Sequence, residues 1–435
     1  MKRALTFLAF CFSALASGEV VSFSREVAPI LQRQCVACHK EGKAKGKYRL
    51  DTYEQLRKEL EPGDLETELF HRVTTDDEEE RMPVDADPLG DQEINVIRRW
   101  IVEGASYDGE DPGALLSAII PLRDHPGAPS SYPRPLGVTA MVFGPQGQKL
   151  YTGGYHEILV WDPNGGALLD RIPNNGQRSY GLALSPDGNM LAAATGDPGQ
   201  AGEVRVFDAK SGRVLATPFR GDDTLLAVGF SPDGRSLAFG GVDGKLRLFQ
   251  TETWTEVLAV SSHSDWLTAL SWNREGSQIA TASRDKTAKV YEVTTGKRVS
   301  TFSGHSEAVR GIAFHSNGKE VLSAGDHGHL FAWGSESGKK IADRAKFDNP
   351  VLRFMEGPGG FFATTSGGVI AQFHAENQKR LQEFKVVSET GAEAPTISSC
   401  ACWETLLAVG TLDGRVIIFD TETGDQRTIF VAKPR

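Results

Sequence analysis

Ser231-Pro232-Asp233-Gly234-Arg235-Ser236-Leu237-Ala238-Phe239-Gly240-Gly241-Val242-Asp243-Gly244-Lys245-Leu246-Arg247-Leu248-Phe249 is the stretch that decides the fold. It opens on a tight turn, because Pro fixes φ, Asp bonds back to the chain, and Gly tolerates positive φ. It closes on an alternating strand, Lys245 to Phe249, that ends in an aromatic. Asp243 sits six residues before that aromatic and suits a hairpin; Asp285 and Asp413 hold the same place elsewhere. The turn recurs as Ser185-Pro186-Asp187-Gly188, with looser copies at 144–147, 273–276 and 315–318. The closing aromatics are Trp161, Phe207, Phe249, Tyr291, Trp333, Phe373 and Phe419, at intervals of 46, 42, 42, 42, 40 and 46 residues. A period of that size, with about four short strands per unit, predicts the blades of a β-propeller. Seven units between residues 132 and 435 make a seven-bladed ring, and closing the ring leaves few open edges.

The repeat resembles the WD40 family in period. Trp161-Asp162 keeps the family's dipeptide, Phe207-Asp208 and Phe419-Asp420 are near copies, and Gly304-His305 is the one Gly-His pair. His327 stands where a hairpin Asp is expected before Trp333. No unit carries the full polar set of His, Asp and Trp, so the peptide-binding surface of eukaryotic relatives is not carried over. Either Leu115–Leu122 or Thr428–Ala432 can supply the outer strand of the last blade.

Upstream of the ring lies different chemistry. Cys35-Val36-Ala37-Cys38-His39 has the C-x-x-C-H spacing of a c-type haem attachment site. Residues three and four apart share one face of a helical turn, so both thiols reach the haem edge while His39 points at the iron. Zinc would need a second ligand pair, and the module offers no other Cys. A redox pair has no use for His39, and no βαβ pattern surrounds this one. For the other axial position Met82, in Arg81-Met82-Pro83, is one candidate and His71 the other. A thioether opposite a histidine raises the reduction potential, which suits an electron carrier. Asp91 is expected to cap a helix through Glu103, with Ile94, Ile97, Trp100 and Ile101 as its apolar stripe and Gly104 past its end. The acidic run Asp76 to Glu80 and the bases Lys40, Lys43, Lys45, Lys47 and Arg49 form patches able to orient a docking partner.

Residues 22–106 resemble the planctomycete-type small cytochrome c domain. The resemblance rests on Cys35-x-x-Cys38-His39, Leu50-Asp51, Pro62-Gly63, Leu69, Arg72, Met82-Pro83, Leu89 and Trp100-Ile101-x-x-Gly104-Ala105. It implies covalent haem on Cys35 and Cys38, His39 as the proximal iron ligand and Met82 as the distal one. Val84 departs from the family's usual Pro.

Composition sets limits around these modules. Of 435 residues, 40% are hydrophobic and 24% charged, which is globular, and five Cys make no disulfide scaffold. Lys2 and Arg3, the apolar run Ala4 to Leu15 and Ala14-Leu15-Ala16 read as a secretory signal over 1–18. Phe10 before Cys11 argues against a lipoprotein. Beyond that run no stretch is long enough to span a bilayer. Residues 19–111 hold 13 basic and 23 acidic side chains, and the net charge is −10, so no basic face for nucleic acid is visible.

The expected organisation is a multidomain chain. A signal peptide (1–18) precedes a small all-α cytochrome c domain (19–108), a linker with a possible closing strand (109–131), and an all-β seven-bladed WD40-type propeller (132–435). The expected role is an exported, periplasmic or cell-envelope carrier of one covalent haem c. It would pass single electrons to a redox partner protein, with the propeller as docking or scaffold module. An enzyme with its site on the propeller, or a haem-based sensor, are the alternatives; no catalytic array is visible. Three further places are noted. His327-Gly328-His329 near His315 reads as a solvated hairpin before it reads as a metal site. Cys400 and Cys402 share one face of a strand as small apolar residues, and Arg284 and Lys286 are surface charges.

Overall fold

A computed structural model of the chain describes residues 20–36, 38–40, 48–84, 87–121, 124–357, 359–387 and 394–434. The expected export signal lies outside them, as do Lys43, Lys45 and Lys47 of the basic run. The chain forms two compact units, Met1–Pro121 and Leu122–Arg435.

The described regular elements of the first unit are helical. A π-helical turn, Phe23–Val27, runs into α1 (Ala28–Gln34); α2 (Tyr53–Leu56), α3 (Glu68–Thr74), α4 (Asp91–Val102) and α5 (Leu116–Ile119) follow. In α4, Ile97, Trp100 and Ile101 are buried as their spacing predicts. The cap differs from expectation. Gly90 is the N-cap, and the Glu93 carboxylate accepts the Gly90 N–H at 3.1 Å, which leaves Asp91 inside the helix. Phe23 packs on Trp100 with ring centroids 5.2 Å apart, and the Trp100 indole donates to Ser106 C=O at 2.9 Å. Residues 112–120, expected within a linker, pack on this unit. Glu54 N–H donates to Pro112 C=O, Leu116 N–H donates to Asp51 C=O, and Thr52 bridges Leu115.

The second unit is a seven-bladed propeller of seven four-stranded antiparallel sheets, each built from consecutive strands. The blades span 141–172, 178–221, 225–261, 267–302, 309–346, 351–385 and 397–431. The first strand of each blade packs against the first strands of both neighbours in a closed cycle, which puts these strands around the axis. The seven repeated aromatics all lie on third strands, buried between blades. Each such side chain contributes roughly 1.5–3 kcal/mol by leaving water. All five repeated turns make the same backbone bond, from the fourth residue N–H to the first residue C=O. In each the Gly has positive φ, from 65° at Gly147 to 74° at Gly188.

Ring closure settles the open choice of outer strand. Leu116–Ile119 is a helical turn of the first unit, so Leu115–Leu122 does not complete the last blade. Gln426–Val431 does. Blades 1 and 7 are joined by side chains and by the segment entering the ring. Val138 N–H donates to Thr411 C=O at 3.0 Å, and Ser398 Oγ donates to Val138 C=O at 2.8 Å. Phe430 of blade 7 packs on Trp161 of blade 1 at 5.1 Å.

Candidate functional site

Cys35 caps the C-terminus of α1, and the chain then turns once more. Cys38 N–H and His39 N–H both donate to Cys35 C=O at 3.1 Å. These are the three- and four-residue bonds of a helical turn, and they set the C-x-x-C-H side chains over one space. The opposite wall is α3, where Leu69, Arg72 and Val73 lie three to four residues apart on one face. The third wall is the loop Met82-Pro83-Val84. Together they enclose a cavity of about 370 Å³ that Cys35, Cys38, His39 and Met82 all line.

Hydrogen bonds fix two of these groups. His39 Nδ1 lies 2.9 Å from Tyr48 C=O. A carbonyl only accepts, so Nδ1 carries the proton and Nε2 keeps a free lone pair. Met82 N–H donates to Arg72 C=O at 2.8 Å, and the Arg72 guanidinium donates to Glu80 C=O at 3.1 Å. Arg72 thus clamps the methionine loop to α3 from both its backbone and its side chain. His71, the other candidate ligand, points away. It is exposed, with Nε2 3.3 Å from Glu80 Oε2, and does not line the cavity.

Burial pushes the Cys35 thiol up to about 12, with the Glu93 and Cys38 charges adding to it. Burial likewise raises the Tyr48 phenol, and its Oη has no hydrogen-bond partner among the described residues. An orphaned buried hydroxyl costs about 1–3 kcal/mol, and Tyr48 borders the cavity. Two thiols, an imidazole with a free Nε2, a thioether, apolar walls at Leu50, Leu69 and Val73, and one unpaired donor suit a covalently attached haem. Spacing alone gave no sign of Tyr48. It is an aromatic nine residues past His39 with no motif around it.

In the propeller the hairpin aspartates act as expected: Asp243 accepts Lys245 N–H at 3.1 Å and Asp285 accepts Thr287 N–H at 2.9 Å. His327 takes over this role in blade 5, its Nδ1 accepting His329 N–H at 2.8 Å. Its Nε2 lies 2.6 Å from His305 Nδ1, and His305 Nε2 lies 2.7 Å from Ser323 Oγ. The hairpin is therefore packed on a histidine rather than only solvated. His315 lies apart from it, bonded to Glu376 C=O. Arg284 stacks on Trp266 at 4.5 Å and pairs with Asp265, more than a bare surface charge.

A family model described as planctomycete cytochrome C matches residues 35–85. One described as WD domain, G-beta repeat matches 212–250, 254–292 and 296–333. The chain thus joins a planctomycete-type cytochrome c segment to a WD40-repeat propeller. Each WD40 match starts near the outer strand of one blade and ends on the third strand of the next. Among curated proteins the chain is similar to periodic tryptophan protein 2 of Arabidopsis thaliana (29% identical over 116 residues). It is also similar to the periodic tryptophan protein 2 homolog of Neurospora crassa (25% identical over 116 residues). Each match covers 26% of this chain and 12% of the relative.

Proposed function

We infer that the first unit is an exported c-type cytochrome with an all-α cytochrome c fold, and that the propeller docks it to a redox partner or an envelope complex. The observation that carries this reading is the shared cavity of Cys35, Cys38, His39 and Met82, residues drawn from two separate stretches of chain. Haem c, when bound, takes up and gives back one electron at its iron. Cys35 and Cys38 would hold it by thioether bonds. His39 presents Nε2, oriented by the Tyr48 carbonyl, and that carbonyl makes the imidazole a stronger donor. Met82, held against α3 by Arg72, lines the same cavity and would offer its sulfur as the second ligand. Leu50, Leu69 and Val73 would shield a bound haem from water and so favour its less charged reduced state. The C-x-x-C-H motif and the reading of residues 1–18 as a secretory signal support export, because thioether haem attachment takes place outside the cytoplasm.

The test is the visible spectrum of the mature chain produced with a haem-maturation system, oxidised and reduced. A low-spin spectrum with a methionine–iron band is expected, lost in Met82→Ala and kept in His71→Ala. A high-spin spectrum that shifts with carbon monoxide would replace carriage by sensing or catalysis. A chain that takes up no haem would overturn the reading.

A further inference from the structure

Cys400 and Cys402 lie two residues apart on the innermost strand of blade 7, Ile397–Trp403. Alternate residues of a strand leave the same face, so both thiols project together. The neighbouring innermost strand, Val351–Gly357 of blade 6, brings Met355 and Gly357 to them. Cys400 Sγ is 3.3 Å from Met355 Sδ. Cys402 packs closely on Gly357, where an added β-carbon would lie 3.0 Å from its Sγ. The three sulfur residues border a cavity of about 520 Å³ between the innermost strands of blades 1, 2, 6 and 7. Both cysteines are free and, as read from the sequence, pack as small side chains on an apolar core, partly buried.

Arg353 borders the same cavity. Its guanidinium donates to the neighbouring Leu352 C=O at 3.2 Å. The lining also includes Phe354, Met355, Leu182 and Asp187, whose carboxylate accepts from Ser185 and Asn189. A cation in such surroundings calls for a negative charge beside it.

We propose that Cys400, Cys402 and Met355 bind one monovalent soft metal ion, Cu(I), in the axial cavity of the propeller. Thiolate and thioether sulfur select Cu(I) among available metals. Zinc and the oxygen-seeking cations lack their donors here, since no three His, Cys, Asp or Glu gather among the described residues. On binding, two S–H bonds break, two S–Cu bonds form and two protons leave to solvent; copper keeps its oxidation state. Cu⁺ with two thiolates carries a charge of −1, and Arg353 offsets it. The reading is independent of haem in the first unit.

The test is anaerobic titration of the reduced full chain with Cu(I) against the chromophoric chelator bicinchoninate. It is run on the chain as it is and again with Cys11→Ser, Cys35→Ser and Cys38→Ser, so that the thiols of the first unit contribute nothing. One equivalent is expected to leave the chelator in both. Cys400→Ser and Cys402→Ser should each abolish this, and Met355→Leu, which conserves volume, should weaken it at least about tenfold. Copper X-ray absorption should show sulfur neighbours only. No competition by the reduced chain, full binding in both serine variants, or nitrogen and oxygen neighbours would each overturn the proposal. So would thiol counting that finds Cys400 and Cys402 joined in a disulfide while Cu(I) is present. Unchanged circular dichroism in Met355→Leu keeps loss of binding distinct from loss of fold.

Discussion

Gly234 has φ of 72°, and nothing lies closer than 3.5 Å to the place a β-carbon would take. Gly234→Ala therefore meets backbone strain without a clash and should cost about 1–2 kcal/mol, read as a lower denaturation midpoint of the propeller. Gly311 is the contrasting case. Its added β-carbon would meet the backbone of Phe354 at 2.5 Å, so Gly311→Ala should cost distinctly more. Tyr48 offers a prediction of the opposite sign. Without haem its hydroxyl is buried and unpaired, so Tyr48→Phe should stabilise the first unit by about 1 kcal/mol in a thermal melt. A loss of stability would mean that the hydroxyl has a partner. The turn glycines were legible, because Ser-Pro-Asp-Gly names its own geometry. Tyr48 was not, because its importance comes from a cavity that exists only after α3 and the Met82 loop fold over it.

The blade 5 hairpin couples an element to pH. Burial, then the charges of His327 and His329, push His305 down to about 3 from its ordinary 6.5. Burial lowers His327 as well, while Glu307 and Asp343 pull it back. Both rings are neutral in the fold, so protons bind the unfolded chain first as pH falls. Their stability is present above pH 6.5 and is lost on acidification from there toward 3. The propeller melting temperature should fall across that range, and His305→Gln should flatten the fall. A slope unchanged by His305→Gln would refute the assignment. In α4, Glu93→Ala removes the reach back to Gly90 and should cost about 1 kcal/mol in the first unit. The α4 stripe was legible from spacing. Its cap was not, since Asp91 and Gly90 both suit that place and the Glu93 reach decides between them.

Each unit has a core of its own, one around Phe23, Leu31 and Trp100, the other between the blades. Calorimetry of the chain should therefore show two transitions, and haem attachment should raise the first and leave the second in place. A single transition moved as a whole would contradict this. Deleting 426–435 removes the outer strand of blade 7 together with the Phe430 contact to Trp161. The third strand Arg415–Asp420 then becomes an open edge. The propeller transition should be lost or aggregation-prone while the first unit melts as before.

By itself the sequence determined what local chemistry and period can carry. Turn chemistry, the interval between aromatics and the C-x-x-C-H spacing determined the number of blades and the helical turn that holds Cys35, Cys38 and His39, because each rests on near neighbours in the chain. Tertiary structure alone decided what depends on distant segments meeting. It placed Met82 and not His71 in the cavity, since Arg72 ties the loop down and α3 turns His71 to solvent. It gave the last blade its outer strand from the C-terminal segment, since Leu116–Ile119 folds onto the first unit. It also brought Met355 from blade 6 to Cys400 in blade 7, a pairing of residues 45 apart that follows from ring geometry and from nothing in either strand.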